Sequence, residues 1–143
     1  MLEKVLMALV LVAGTVFVHA VGLAGLLSVL LRSRAHPPTR VWPLSWLLIR
    51  VAWALISIHV IEISLWALFY TWQECLPDVH SAFYFSGVTY TTVGYGDVLL
   101  SGPWRLFAPV EALTGILMCG LSTGLFFAVV SRLVSHTLEV RGK

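Results

Sequence analysis

Thr91-Thr92-Val93-Gly94-Tyr95-Gly96-Asp97 is the stretch on which the reading of this chain turns, because it occupies the one polar interval between two long apolar segments. A backbone that aims successive carbonyls at one axis must alternate ordinary and positive φ, and glycine is the residue that tolerates positive φ. Gly94 and Gly96 can supply that alternation. Around them Thr92, Val93 and Tyr95 are stiff or bulky, hold the chain extended and send their side chains outward. The product is a ladder of inward oxygens at the carbonyls of Thr92, Val93, Gly94 and Tyr95, to which the Thr92 hydroxyl can add one more. Such a ladder can replace the hydration shell of a cation. One copy cannot encircle an ion, so about four chains must meet on a common axis.

The composition sets the environment. Of the 143 residues, 59% are hydrophobic and 11% charged, and the mean hydropathy is +0.91. An ordinary soluble domain is about 45–50% apolar, so a membrane protein is expected, with the lipid bilayer as its surroundings. Trp42, Trp46, Tyr70, Trp72 and Trp104 stand where apolar runs end, as an interfacial aromatic belt requires. A formal net charge of +2 and the lack of any basic run interleaved with aromatics argue against nucleic acid as a partner. Cys75 lies in the polar interval and Cys119 in an apolar segment, so their depths argue against an intrachain bridge. Free thiols are expected, with pairing of Cys75 between subunits as the alternative.

Three spans emerge. Residues 5–31 carry no Asp, Glu, Lys or Arg, which exceeds the roughly 20 residues needed to cross the hydrocarbon. The run continues well past the signal-like Val18-His19-Ala20, which favours retention as a helix, assigned to residues 1–31. In it, Gly14, Gly22 and Gly25 read as packing contacts and His19 as a packing or hydrogen-bonding histidine. An Arg- and Pro-rich segment follows, giving a loop over residues 32–43. A second span covers residues 44–70 and a third residues 104–134. Between them, Pro77-Asp78 opens a short helix over residues 79–90, capped by Asp78 and leading into residues 91–97. Positive charge concentrates in the loop and the tail, which places both in the cytoplasm and the N-terminus and polar interval outside.

All seven positions of the quoted stretch resemble the signature of the pore-loop potassium channels, and the chain is similar to a small prokaryotic two-transmembrane-type pore domain with an extra N-terminal helix. The resemblance covers roughly residues 53–135. It implies an all-α transmembrane fold: three membrane-spanning helices, a re-entrant pore helix and a selectivity-filter strand, in a homotetrameric pore of the inner or plasma membrane. It implies K⁺ held by the carbonyls of Thr92, Val93, Gly94 and Tyr95, with Gly96 at the outer mouth and no other cofactor. Thr91, Asp97, Tyr84 and Phe85 would support the filter. In the family an aromatic thirteen residues before the Asp can bond it; that position is Tyr84 here, where Trp is common, and Val88 replaces the pore-helix Glu of some members. The third span resembles the inner helix. Ile116, Cys119, Thr123, Phe127 and Ser131 recur at spacings of three and four and form one stripe, read as pore lining. Gly115 falls at the family's hinge position, and Gly120 adds flexibility.

Three ionisable residues sit inside the spans. His59 and Glu62 are three apart on one helix face. By a rise of 1.5 Å per residue, Glu62 lies about 12 Å in from Tyr70 and Glu111 about 10 Å in from Trp104, so they can share a depth. Two readings stand: a cluster of His59, Glu62 and Glu111 that senses protons, or a structural network bonding the pore helix. No nucleophile–base pair, phosphate loop or HExxH arrangement occurs, so no enzyme and no small-molecule substrate is expected. A non-selective cation channel and a subunit of a potassium uptake transporter remain as alternatives. Tyr95 argues against the first, and a single filter in a short chain against the second.

Overall fold

The computed structural model describes residues 2–32 and 41–141. Most of the expected cytoplasmic loop, residues 33–40, and the last two residues of the basic tail lie outside the described residues. Four helices make the fold: α1 (Leu2–Arg32), α2 (Val41–Trp72), α3 (Val79–Tyr90) and α4 (Phe107–Arg141), with a 3₁₀ turn at Gly102–Trp104 before α4. Three stretches, Leu2–Arg32, Trp42–Trp72 and Gly102–Leu138, are helical, long and apolar enough to cross a membrane. The protein is a multi-pass membrane protein. In hydrocarbon, continuous helices are the form in which a single chain satisfies its own backbone, which overrides the modest helix propensity of their many Val and Ile residues. Pro43 falls in the first turn of α2, where its missing N–H costs nothing.

Where α2 stops, the chain closes a Schellman motif: Glu74 takes the left-handed conformation at φ 50°, with Cys75 N–H donating to Tyr70 O and Glu74 N–H to Thr71 O. That turn buries Cys75. Burial pushes its thiol up to about 11, so it is protonated and unreactive at neutral pH, which disfavours pairing between subunits. At the other end of the interval Trp104 N–H donates to Ser101 O at 2.9 Å. Pro103 therefore belongs to a tight turn, and α4 begins at Phe107.

α2 is the central helix, with α1, α3 and α4 packed against it. Toward the polar interval Phe69 stacks on Phe107 at 5.3 Å and meets Trp104 edge-on at 5.8 Å. Trp66, Tyr70 and Tyr90 are buried in the same cluster. Toward the other end Val51, Leu55 and Ile58 pack against Leu23, Leu26 and Leu30 of α1 and Leu125 and Phe126 of α4. Lipid tails are as apolar as these side chains, so fit, rather than escape from water, holds the helices together. Fit is tight where α1 crosses α2: a Cβ added to Gly22 would lie 2.7 Å from Ile58 Cδ1. Polar clasps add to it, with Trp66 Nε1 donating to Thr15 Oγ1 at 3.0 Å and Thr15 Oγ1 donating to Leu11 O at 2.9 Å. Many large apolar side chains stay open, among them Phe17 on α1, Trp53 and Ile56 on α2 and Leu113 and Leu117 on α4. Such surface would be a liability in water and suits a membrane protein.

Candidate functional site: the re-entrant loop and its buried supports

α3 begins as its sequence dictates. Asp78 is extended at its N-cap, and Asp78 Oδ1 accepts from Ser81 N–H at 2.8 Å while Oδ2 accepts from Ser81 Oγ at 2.8 Å. These bonds, the backbone one first, hold the Asp78 carboxyl below the usual carboxylate range. At the other end Thr91 N–H and Thr91 Oγ1 both donate to Gly87 O, Thr92 N–H donates to Thr89 O at 2.9 Å, and Gly94 N–H donates to Val88 O at 3.2 Å. The chain after α3 thus folds back onto the carbonyls that end the helix.

Residues 91–97 make no β-ladder, and no strand occurs among the described residues. Their regularity is in the sign of φ: Thr92 at 61°, Gly94 at 56° and Gly96 at 77° are all left-handed, with Val93 and Tyr95 between them on the ordinary side. The alternation therefore begins one step earlier than the two glycines imply. A β-branched residue at positive φ is an outlier that costs on the order of 1–2 kcal/mol. Val93 and Tyr95 point away from the protein and stay exposed in the single chain.

Behind this run Tyr84 OH donates to Asp97 Oδ2 at 2.7 Å. The bond holds Asp97 below the usual carboxylate range and raises the Tyr84 phenol, whose own shift comes first from the same bond. A carboxyl with a depressed pKa contributes stability that is complete above its unfolded value, about 3.9, and is lost as pH falls through the lower folded value. Tyr84→Phe is therefore expected to lower thermal stability at pH 6 but to converge with the wild type once Asp97 is protonated. Melting curves between pH 6 and pH 2 check this; a constant difference at every pH would contradict it. Phe85, expected as a second support, is buried and meets Tyr70 edge-on at 5.4 Å in the core, while also lining the cavity behind Thr92, Gly94 and Asp97. Thr91 caps the end of α3.

The inner face of α3 carries Ser86 and Tyr90, one turn apart and both buried. Each meets a buried carboxylate. Ser86 Oγ lies 2.5 Å from Glu111 Oε1 and 2.9 Å from Ile63 O, and Tyr70 OH donates to Glu111 Oε2 at 2.7 Å. Tyr90 OH donates to Glu62 Oε2. His59 Nδ1 is 3.0 Å from Glu62 Oε2 and 3.1 Å from Tyr90 OH, and His19 Nδ1 is 2.9 Å from Glu62 Oε1. The expected grouping of His59, Glu62 and Glu111 thus divides in two: Glu62 with both histidines and Tyr90, and Glu111 with Tyr70 and Ser86. Shared depth brought both carboxylates to the same short helix, and Tyr90 and Ser86, one turn apart, receive one each. His19 is the residue that sequence reasoning undervalued, since nothing in the chain says which helix face it meets.

The two carboxylates differ in what surrounds them. Glu62 is faced by three groups that can donate, and its two oxygens can accept from all of them. Ser86 has one hydroxyl proton and two acceptors in reach. A proton carried by Glu111 and donated to Ser86 Oγ frees the Ser86 proton for Ile63 O, which satisfies the whole set.

On α4, Glu111, Thr114, Gly115, Met118 and Ser122 form the buried face. At about 100° per residue, Ile116, Gly120, Thr123 and Phe127 lie on the opposite, open face, with Cys119 and Ser131 at its flanks, partly covered. Gly115 presses on the end of α3: an added Cβ would lie 2.1 Å from Tyr90 O and 2.9 Å from its carbonyl carbon. The position expected to be a hinge is thus a contact between backbones.

A family model described as an ion channel matches residues 44–132, which takes in α2, α3, the loop and most of α4. The chain belongs to this ion channel family. No curated protein and no solved structure matches it. Membership makes the protein a channel and not an enzyme, and leaves α1 outside the matched region. This ion channel's first helix is nevertheless joined to the rest: His19 reaches Glu62, and Lys4 Nζ sits 4.4 Å over the Trp104 ring and donates to Pro103 O at 3.2 Å.

Proposed function

We propose that this ion channel is potassium-selective and that four copies surround one axis, with the carbonyls of Thr92, Val93, Gly94 and Tyr95 and the Thr92 hydroxyl coordinating K⁺. The observation that carries the reading is the left-handed alternation at Thr92, Gly94 and Gly96 directly after a capped helix. That backbone turns successive carbonyls to one side, and four such ladders make the oxygen cages that a dehydrated K⁺ needs. The C-terminal end of α3 carries partial negative charge toward the cavity, which favours a cation there.

The open stripe of α4, Ile116, Gly120, Thr123 and Phe127, lines that cavity, flanked by Cys119 and Ser131. Tyr84 and Asp97 brace the filter from behind. Glu62 and Glu111 act as structural carboxylates that fix the depth of α3, the structural one of the two roles considered for them. The N-terminus and the filter mouth share one end, as the Lys4 contact to Pro103 supports; the positive charge of the loop and tail makes that end the outer one and the C-terminus cytoplasmic.

Proteoliposomes loaded with KCl test the reading. Purified protein should collapse a K⁺ gradient, monitored by a potential-sensitive dye, and leave a Na⁺ gradient of equal size standing; equal dissipation of both would overturn it. Gly94→Ala is expected to keep the fold, because an added Cβ meets open space within the chain. It forces a left-handed alanine into each of four ladders, at about 1–2 kcal/mol apiece. Selectivity for K⁺ over Na⁺ in the same assay should fall at least tenfold, and an unchanged ratio would contradict the role given to this backbone.

A further inference from the structure

We propose that His19, Glu62 and His59 form a binding site for a divalent transition-metal ion of the zinc type, one ion per chain, which ties α1 to α2 and to the end of the pore helix. One ring nitrogen each of His19 and His59 and a Glu62 oxygen all lie within 4.8 Å of one another. The nitrogens stand 2.9 and 3.0 Å from the two oxygens of one carboxylate. Around a metal bound at about 2.0–2.1 Å, tetrahedral ligands are separated by roughly 3.3 Å. Each imidazole–carboxylate pair therefore needs to open by only a few tenths of an ångström, while the two imidazole nitrogens, within 4.8 Å of each other, need to close by at most about 1.5 Å. Two imidazoles and a carboxylate are a donor set that suits zinc and its neighbours and not Mg²⁺ or Ca²⁺, which take oxygen ligands.

The surroundings fit such an ion. Glu62 and His19 are buried, while His59 is 18% exposed. Tyr90 OH, already bonded to Glu62 and 3.1 Å from His59 Nδ1, stands beside the ligands, either to orient the carboxylate or to fill a fourth position. With Nδ1 on the metal, His19 carries its proton on Nε2, which has no partner among the described residues, and the metal bonds offset that unsatisfied donor. The consequence reaches the filter, because Tyr90 is the last residue of α3 and its carbonyl rests against Gly115.

The full chain in detergent, stripped with chelator and titrated with Co²⁺, tests this by visible absorption. Uptake of one Co²⁺ per chain at micromolar concentration, with the bands of a four- or five-coordinate ion and displacement by Zn²⁺, is expected. His19→Gln and His59→Gln should each weaken binding at least tenfold, while His80→Gln, in the exposed first turn of α3, should not change it. No saturable Co²⁺ uptake by the wild type, or binding that survives both variants, would overturn the proposal. X-ray absorption on the Zn²⁺-loaded wild type decides independently of whether the variants fold: two imidazoles in the shell support the site, and fewer overturn it.

Discussion

Gly115→Ala is expected to abolish conduction and to lower the thermal stability of the protein sharply. The added carbon would lie 2.1 Å from the Tyr90 carbonyl oxygen. That oxygen is backbone, so no rotamer change relieves the clash; either α4 or the end of α3 must move. Overpacking of this kind costs about 1–3 kcal/mol in a soluble core, and here it falls beside the start of the proposed filter. Gly120→Ala, where an added carbon meets open space, is the informative control. If Gly115 served chiefly as a hinge, stiffening the helix five residues further along would produce a related defect. Melting of the assembly and single-channel recording of both variants check this. A stable, conducting Gly115→Ala protein would show that the contact between α4 and α3 is not needed.

Glu62→Gln and Glu111→Gln are expected to behave oppositely, although both remove one intramembrane carboxylate. An amide at position 111 donates through its nitrogen to Ser86 Oγ and accepts through its oxygen from Tyr70 OH, reproducing what a protonated Glu111 does. At position 62 the same amide turns its nitrogen toward a group that donates, or forces His19 to its other tautomer, whose Nε2–H has no partner. Leaving a buried donor unsatisfied costs about 1–3 kcal/mol, and truncation by Glu62→Ala, which strands three donors, is expected to cost about 3–5 kcal/mol. Denaturation followed by loss of the native assembly should rank wild type and Glu111→Gln together, Glu62→Gln lower and Glu62→Ala lowest. Equal losses for the two glutamines would contradict the proton placed on Glu111.

Much of this architecture is legible in the sequence, for physical reasons. Length and apolar content force helices in a bilayer, and an Asp after a Pro marks the start of α3 with one residue type. The stretch of residues 91–97 is readable because positive φ selects glycine at two of its three left-handed positions. Thr92, the third, gives no such signal: a β-branched residue argues against the conformation it adopts, which the surrounding loop imposes. Depth was also legible, since counting along α2 and α4 placed Glu62 and Glu111 level with each other. Azimuth was not. Which face of α1 meets α2 depends on a crossing fixed by contacts such as Gly22 on Ile58, so the partnership of His19 with Glu62 could not be read from one strand of text. The same holds for Gly115, where a glycine in a membrane helix suits a hinge and a close contact equally well until the neighbouring backbone is seen.

Reconstituted channels recorded in planar bilayers under bi-ionic conditions, with KCl on one side and NaCl on the other, bear most directly on the filter. A ladder of carbonyls from Thr92 to Tyr95 predicts a reversal potential displaced far toward the K⁺ equilibrium potential, corresponding to at least a hundredfold preference for K⁺. A reversal potential near zero, with K⁺ and Na⁺ carrying equal current through a protein that assembles normally, would contradict it.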